Sequence, residues 1–214
     1  LAAGFMALAA PALAHPVTVQ SCDREVTFEQ IPERAASNDV NLTEMMLVLG
    51  VTDRMVGYTG ISGWNKLDER MREGFAELPQ LAETYPTTEV LLGAGADFFF
   101  AGWNYGMRVG GEVTPDTLAP FGIAGYELTE SCTHIMDKPK ASLEDLYADL
   151  MNLGRIFGVE DPEDGTNVVD HILGLAAEEA NQRGRGIGHA VVAVGHLLQL
   201  EDEAGDSLRQ FPQQ

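Results

Sequence analysis

The sequence is poor in positive charge. Thirteen lysines and arginines stand against 33 aspartates and glutamates, which gives a formal net charge of -20. An acidic surface repels phosphate backbones and anionic lipids, so nucleic acid and bare membrane are excluded as expected partners. The charge suits a protein that meets a basic docking face or a cationic ligand, and solubility alone is the alternative explanation.

Cysteine is also scarce, with only Cys22 and Cys132 in 214 residues. The two cysteines are far apart and form no Cys-x-x-Cys metal motif. Residues 1–14 are apolar and alanine-rich and end in Ala12-Leu13-Ala14, which indicates part of a signal peptide and therefore export. In an oxidising compartment a single cysteine pair predicts a disulfide, and two free buried thiols are the alternative.

Catalytic motifs are missing as well. The chain contains no Gly-x-Ser-x-Gly elbow, no P-loop and no Gly-x-Gly-x-x-Gly after a predicted strand. A Cys132–His134 nucleophile pair requires a free thiol, so a disulfide would remove it. The five histidines are scattered, and only His134 falls near a predicted loop end. We therefore expect no enzyme activity and no metal-ion site built from protein side chains.

Short apolar runs alternate with short helical patterns over the first 140 residues. A hairpin is predicted over residues 17–31, and the run at 97–101 is typical of a strand that is buried on both faces. A capping box is predicted at Asn41–Glu44 and a helix cap at Thr87. This order predicts an α/β, Rossmann-like lobe with a mostly parallel sheet. Ligands bind beyond the carboxyl ends of such strands, which here precede four loops, at residues 37–41, 59–65, 102–108 and 129–134.

Helical periodicity takes over after residue 140. Leucines and a phenylalanine recur at helical spacing from residue 143 to 157, and a second helical run follows Pro162. We predict four segments: a partial signal peptide at 1–14, an N-terminal ligand-binding lobe at 15–140, a helical connector at 141–186, and a truncated second lobe with a disordered tail at 187–214. The only strand predicted in the last segment covers residues 189–194.

Several stretches resemble one transporter family. The runs at 34–50 and 53–57 resemble the opening of periplasmic substrate-binding proteins of iron-siderophore and cobalamin ABC importers, the class III type with a helical backbone. The run at 88–101 resembles that family's helix-then-strand unit, although glycine and alanine replace the usual Lys-Pro before Asp97. The segments at 101–106 and 130–132 are similar to the iron-complex branch. The resemblance extends over about residues 17–194.

The resemblance implies two α/β lobes joined by one long helix, with the ligand between them. It also implies a periplasmic protein that passes an iron(III)-siderophore or related metal chelate to a permease–ATPase complex. The full-length protein is expected to be a monomer without a cofactor, and this chain would be a fragment that lacks most of the second lobe. A zinc- or manganese-binding protein and a non-functional fragment are the alternatives. Hydroxamate, catecholate and citrate chelates, haem and cobalamin all stay open as ligands.

Five residues are candidates for ligand contact. Trp103 and Tyr105 follow the buried strand in a glycine-rich loop and suit a flat macrocycle or catecholate, unless they only pack the loop. Arg108 is suited to pairing with an anionic chelate, or alternatively to a salt bridge. Trp64 and Asn38 complete the set from two other loops.

Glu89 is a candidate for a different contact. The resemblance implies that a glutamate at this position lies on the outer surface of the lobe and docks onto permease arginines. A carboxylate in the first turn of a helix is also favoured by the helix dipole, so a purely structural role is the alternative.

Overall fold

The computed structural model describes residues 15–61, 69–138 and 141–159. Within these residues a two-stranded hairpin comes first, and six strands and five helices follow. Short 3-10 helices lie at Thr52–Arg54, Ala119–Phe121 and Thr129–His134. The strands are β1 Val17–Ser21, β2 Arg24–Phe28, β3 Ala35–Asn38, β4 Met55–Thr59, β5 Gln80–Ala82, β6 Phe98–Trp103, β7 Gly106–Met107 and β8 Ala124–Glu127. The helices are α1 Val40–Val48, α2 Glu69–Ala76, α3 Thr88–Gly93, α4 Pro115–Leu118 and α5 Leu143–Phe157.

The main sheet has the strand order β5-β4-β3-β6-β7, and β8 also pairs with β6. Every pairing in this sheet is parallel, whereas β1 and β2 form a separate antiparallel hairpin. The predicted α/β lobe with a mostly parallel sheet is therefore confirmed. Strands β5 and β7 were not predicted, because three and two residues are too few to show a periodic pattern.

The central strand β6 is buried on both faces, as its apolar run predicts. Successive side chains point to opposite faces of a strand, so the three phenylalanines divide between two clusters. Phe98 and Phe100 pack toward the hairpin, α1 and α5, and Phe98 meets Phe157 edge-on with ring centroids 5.2 Å apart. Phe99 packs on the other side with Leu91 of α3.

Local capping signals explain some helix starts but not all. The Thr87 side chain accepts a hydrogen bond from the Val90 N–H at 3.4 Å, which confirms the predicted cap of α3. The capping box predicted at Asn41 is wrong, because α1 already begins at Val40. Its N-cap is Asp39, whose side chain makes no capping hydrogen bond. The start of α1 is therefore not stabilised by a side-chain capping hydrogen bond.

Helix α5 packs into the same lobe. Ser142 and Asp145 form a reciprocal capping box at its start, and Leu153, Ile156 and Phe157 are fully buried.

The predicted domain boundaries stay predictions. The predicted signal peptide at 1–14, most of the connector and the second-lobe segment lie outside the described residues. In the part of the chain that the structure describes, no helix is long and apolar enough to cross a membrane.

A disulfide joins Cys22 to Cys132, which confirms the predicted bridge. Their Cα atoms are 5.3 Å apart across a sequence separation of 110 residues. The bridge ties the turn of the β1–β2 hairpin to the 3-10 helix after β8. Because Cys132 is bonded, it cannot act as a nucleophile with His134.

Candidate functional site

The carboxyl ends of β3, β4 and β6 meet at one edge of the sheet, because all three strands run parallel. Asn38 ends β3, Thr59 ends β4 and Trp103 ends β6. The loops after these strands are three of the four that topology predicts as the site wall. The fourth begins after β8, which lies on the far side of β6.

Asn38 lies beneath this edge and is fully buried. Its Oδ1 accepts a hydrogen bond from the Thr59 hydroxyl at 2.7 Å, whereas its Nδ2 has no partner among the described residues. Gly60 and Gly106 cover its side chain, with φ of 80° and 101°. A Cβ at either glycine would come within 2.7 Å of an Asn38 side-chain atom, so both positions require glycine. Asn38 therefore supports the site from below, and its direct contact with a ligand stays a prediction.

Asp39 follows with a strained backbone. Its φ of 64° and ψ of 165° fall in a region that is almost restricted to glycine. Its N–H donates to the Thr59 carbonyl at 2.9 Å, and its carbonyl accepts from the Thr43 hydroxyl at 2.7 Å. Burial raises the pKa of the Asp39 carboxyl to about 6, and the neighbouring polar side chains of Tyr85 and Asn38 partly oppose that rise.

Tyr85 connects Asp39 to the loop after β6. Its hydroxyl donates to the Asn104 carbonyl at 2.6 Å, and Asn104 also has a positive φ, of 66°. Burial, followed by the negative charge of Asp39, raises the pKa of Tyr85, and the positive charge of Arg108 lowers it. Tyr85 is 42% exposed. We call Asp39, Tyr85 and Asn104, together with the underlying Asn38, the Asp39 face.

The sequence did not point to Asp39, Tyr85 or Asn104. Aspartate before a helix suggests an ordinary N-cap, and a tyrosine and an asparagine in loops are common. Their proximity depends on the pairing of strands that are far apart in sequence. Only a positive φ at a non-glycine residue marks Asp39 and Asn104 out, and that signal is visible only in the structure.

Two predicted contact residues lie in the loop after β6. Tyr105 is half-buried and packs against the hydrophobic cluster, and its backbone exchanges two hydrogen bonds of 2.8 Å with Gly102. Arg108 is exposed. Both interact electrostatically with Tyr85 of the Asp39 face. Trp64 lies outside the described residues, so its ligand contact stays a prediction.

Trp103 has a different environment. Its indole is only 9% exposed, and its Nε1–H donates to Glu127 Oε1 at 2.8 Å. Its backbone N–H donates to the Ser131 hydroxyl at 2.9 Å. This geometry supports the packing role that the sequence left open, and the predicted ligand contact of Trp103 stays a prediction.

The buried carboxylate of Glu127 organises a second polar group. It accepts hydrogen bonds from the Ser21 hydroxyl at 2.8 Å, from Trp103, and from Arg24 at 2.7 and 3.1 Å. These residues come from the hairpin, β6 and β8. We call them the Glu127 cluster, and it fastens the hairpin to the main sheet.

Glu89 is exposed in the first turn of α3. Hydrogen bonding to its own backbone N–H, and then to Thr87, lowers the pKa of its carboxyl. These local bonds support the structural role at the helix start. Docking of Glu89 onto a permease stays a prediction.

Metal-ion ligands do not gather in the described part of the chain. Among residues 15–61, 69–138 and 141–159, no group of three or more histidine, cysteine, aspartate or glutamate side chains is placed to hold a metal ion. What the Asp39 face offers instead is a carboxylate, a phenol and a nearby arginine at an open sheet edge, which suit the rim of an organic ligand.

Two solved structures resemble this chain in fold. One is from an ABC-type Fe³⁺-hydroxamate transport system of Saccharomonospora viridis, with 22% identity and a TM-score of 0.57 over 79% of this chain and 55% of that one. The other is a periplasmic binding protein of Veillonella parvula, with 21% identity and a TM-score of 0.58 over 77% of this chain and 54% of that one. This chain thus matches about half the length of each. No family model and no curated protein matches it. The resemblance noted in the sequence is confirmed at the level of fold.

Proposed function

We propose that this chain supplies a ligand-binding lobe of an extracytoplasmic solute-binding protein, which takes up a ferric siderophore or related metal chelate for an ABC importer. The observation that carries the proposal is the Asp39 face. It combines strained backbone, a buried amide with an unpartnered N–H group and open polar side chains at the carboxyl ends of parallel strands. Such features are uncommon in folded proteins and cluster at ligand sites.

The chemistry of the face favours a chelate over a bare ion. A bare zinc or manganese ion needs three or four converging protein ligands. A chelate already fills the coordination sphere of its metal and offers the protein an organic rim. Tyr85 and Tyr105 provide flat surfaces with polar tips for such a rim, and Arg108 provides a planar donor. Binding of this kind requires no catalytic group.

A transport role implies specific protein partners. The loaded protein docks onto a permease–ATPase complex, and Glu89, exposed on α3, is the proposed contact. The acidic net charge of the chain suits a basic docking surface on that complex. The two fold relatives are named for Fe³⁺-hydroxamate transport and periplasmic binding, and these names support the same assignment.

Equilibrium dialysis of the 214-residue chain against ferric chelates tests the proposal. The panel consists of a trihydroxamate, a triscatecholate, ferric citrate, haem and cobalamin. A single lobe covers less of a ligand than a two-lobed cleft does. Each 100 Å² of lost apolar contact costs about 2.5 kcal/mol, nearly a hundredfold in affinity. The titrations should therefore extend into the micromolar range.

A matched pair of variants locates the site. Arg108→Gln removes a positive charge beside the Asp39 face, and Arg54→Gln removes one at the opposite, amino edge of the sheet. We expect only the first variant to change chelate affinity, by about threefold to tenfold. Absence of binding across the panel would overturn the proposal. Stoichiometric zinc or manganese retained after dialysis would favour the metal-ion alternative.

A further inference from the structure

The side chain of Asp39 does not perform the task expected of an aspartate before a helix. Aspartate is favoured before a helix because its carboxylate caps the first N–H groups, and this carboxylate does not. The main-chain hydrogen bonds of Asp39, to Thr59 and Thr43, are available to any residue at this position. The backbone conformation itself is one that glycine adopts at far lower cost.

The position of the side chain adds a second cost. Asp39 is only 7% exposed, and burial of a carboxylate is unfavourable unless it is well hydrogen-bonded. Tyr85 carries one phenolic proton, which is directed to the Asn104 carbonyl at 2.6 Å. A carboxylate has about four lone-pair sites, so the Asp39 carboxylate, with Tyr85 and Asn38 as its polar neighbours, keeps lone pairs for another donor.

The Asn38 amide beside Asp39 is a second polar group with incomplete hydrogen bonding. Its Nδ2 is buried and has no partner among the described residues, which is rare for an amide. A Cβ at Gly60 would lie 3.0 Å from both Asn38 Nδ2 and Asp39 Oδ1, so the two groups lie close together beside Gly60. An amide in this position supports the carboxylate beside it whenever that carboxylate is ionised.

We propose that Asp39 is the specificity-determining residue of the ligand site, and that it selects chelates with a protonated amine at their rim. Asn38 acts as a positioning residue that steadies the carboxylate from below. This inference rests on the proposed function and adds the ligand class to it. The net charge of -20 favours the same ligand class, because a strongly negative protein disfavours a trianionic triscatecholate complex.

A matched pair of ligands tests the inference. One is the ferric complex of a linear trihydroxamate with a terminal ammonium group, and the other is the same complex with that amine acetylated. A charge-assisted hydrogen bond at a partly open site predicts that wild-type protein binds the ammonium form about tenfold more tightly. Asp39→Asn should reduce this ratio to about one. Asp53→Asn removes the same charge from the exposed amino edge and should leave the ratio unchanged.

A second variant separates selection from stability. Asp39→Gly relieves the strained backbone, so it should raise the thermal midpoint while it removes the tenfold preference. A purely structural Asp39 would give the opposite result, a lower midpoint with the preference intact.

The outcomes distinguish failure of the inference about Asp39 from failure of the proposed function. If wild-type protein binds both trihydroxamate forms equally and Asp39→Asn changes neither, the inference is overturned and the proposed function stands. Tighter binding of the triscatecholate than of the ammonium form would overturn the inference in the same way. If the chain binds no chelate of the panel, the proposed function fails, and the role of Asp39 fails with it.

Discussion

Two polar groups lie near the carboxyl ends of neighbouring strands in one sheet, and they differ in how their hydrogen bonds are satisfied. In the Glu127 cluster a buried carboxylate accepts bonds from Ser21, Arg24 and Trp103. In the Asp39 face a buried amide has an unpartnered N–H group, and two non-glycine residues have positive φ. Both lie at strand ends of the same parallel sheet and share only β6, so a position at the sheet edge does not by itself cause the difference.

The comparison assigns a role in stability to the Glu127 cluster and an expected role in binding to the Asp39 face. A buried charge with complete hydrogen bonding joins segments that are distant in sequence and makes the lobe rigid. An incompletely bonded polar group on strained backbone costs stability and is kept where a ligand completes it. We therefore expect changes in the Glu127 cluster to lower stability without altering ligand preference, and changes in the Asp39 face to do the reverse.

Removal of the disulfide should give the largest stability effect. The bridge lies next to the Glu127 cluster, since Cys22 follows Ser21 and closes a loop of about 110 residues. The double variant Cys22→Ser/Cys132→Ser should lose about 4 kcal/mol of unfolding free energy, measured by urea denaturation. Wild-type protein with a reductant is the control and should lose a similar amount. A loss below about 1 kcal/mol would show that the bridge does not secure the hairpin.

Glu127→Ala should have the next largest effect. It leaves the Trp103 indole N–H and the half-buried Arg24 without their acceptor, which should cost about 3 kcal/mol. Glu127→Gln keeps an acceptor oxygen and should cost less. The ratio of affinities for the two trihydroxamate forms should stay near tenfold in both variants. A ratio near one in stable Glu127→Gln protein would place this cluster in the ligand site and remove the contrast.

Gly106→Ala tests the packing over Asn38. The new Cβ would lie 2.7 Å from Asn38 Cγ on a backbone with φ of 101°, so we expect a loss of about 2 kcal/mol and weaker chelate binding. Gly110→Ala is the control, because Gly110 also has a positive φ, of 68°, but nothing within 4 Å of its new Cβ. It should cost about 1 kcal/mol and leave binding unchanged. Equal behaviour of the two variants would mean that the contact with Asn38 does not matter.

The pH dependence of stability should show the smallest effect. The pKa of Asp39 is raised from 3.8 to about 6 in the folded lobe, so the folded state binds more protons than the unfolded state between these values. Its contribution to stability is therefore present at low pH and is lost as pH rises through about 6. Asp39→Asn should lessen the fall in unfolding free energy between pH 5 and pH 8, by on the order of 1 kcal/mol after solvent screening.

Another carboxyl provides the internal reference for that experiment. Asp149, which accepts hydrogen bonds from Tyr126 and Thr129, also has its pKa raised to about 6, chiefly by burial. Its contribution falls over the same pH range and is common to both proteins, so the difference between them isolates Asp39. Identical pH profiles of wild-type and Asp39→Asn protein would contradict the assignment.

Local signals in the sequence predict the scaffold well. The Thr87 cap depends on two residues three positions apart, and the buried strand at Phe98–Trp103 shows as an apolar run. The disulfide followed from two cysteines and an export signal. Each of these inferences needs only neighbouring residues or a count, which is why each succeeds without knowledge of the tertiary structure.

The Asp39 face was harder to predict because its residues are far apart in the sequence. Asp39 meets Tyr85 and Asn104 only after β3, β4 and β6 pair. For Trp103 a local pattern suggested a role that a residue distant in the sequence does not support. An aromatic residue in a glycine-rich loop suggests ligand contact, yet Glu127, 24 residues later, accepts its indole N–H in the interior. Periodicity and motif spacing contain no information about such partners.

The most direct test of the account is to locate the bound ferric chelate on the lobe. Amide NMR spectra recorded with the ferric trihydroxamate and with its diamagnetic gallium analogue give the answer, because broadening by high-spin iron falls steeply with distance. We predict that Asp39, Gly60 and Asn104 lose intensity in the ferric sample relative to the gallium sample. Asp53, Gly95 and Gly122, which precede their strands at the amino edge, should keep theirs. Broadening centred on the amino edge, with Asp39 and Gly60 unaffected, would contradict the account.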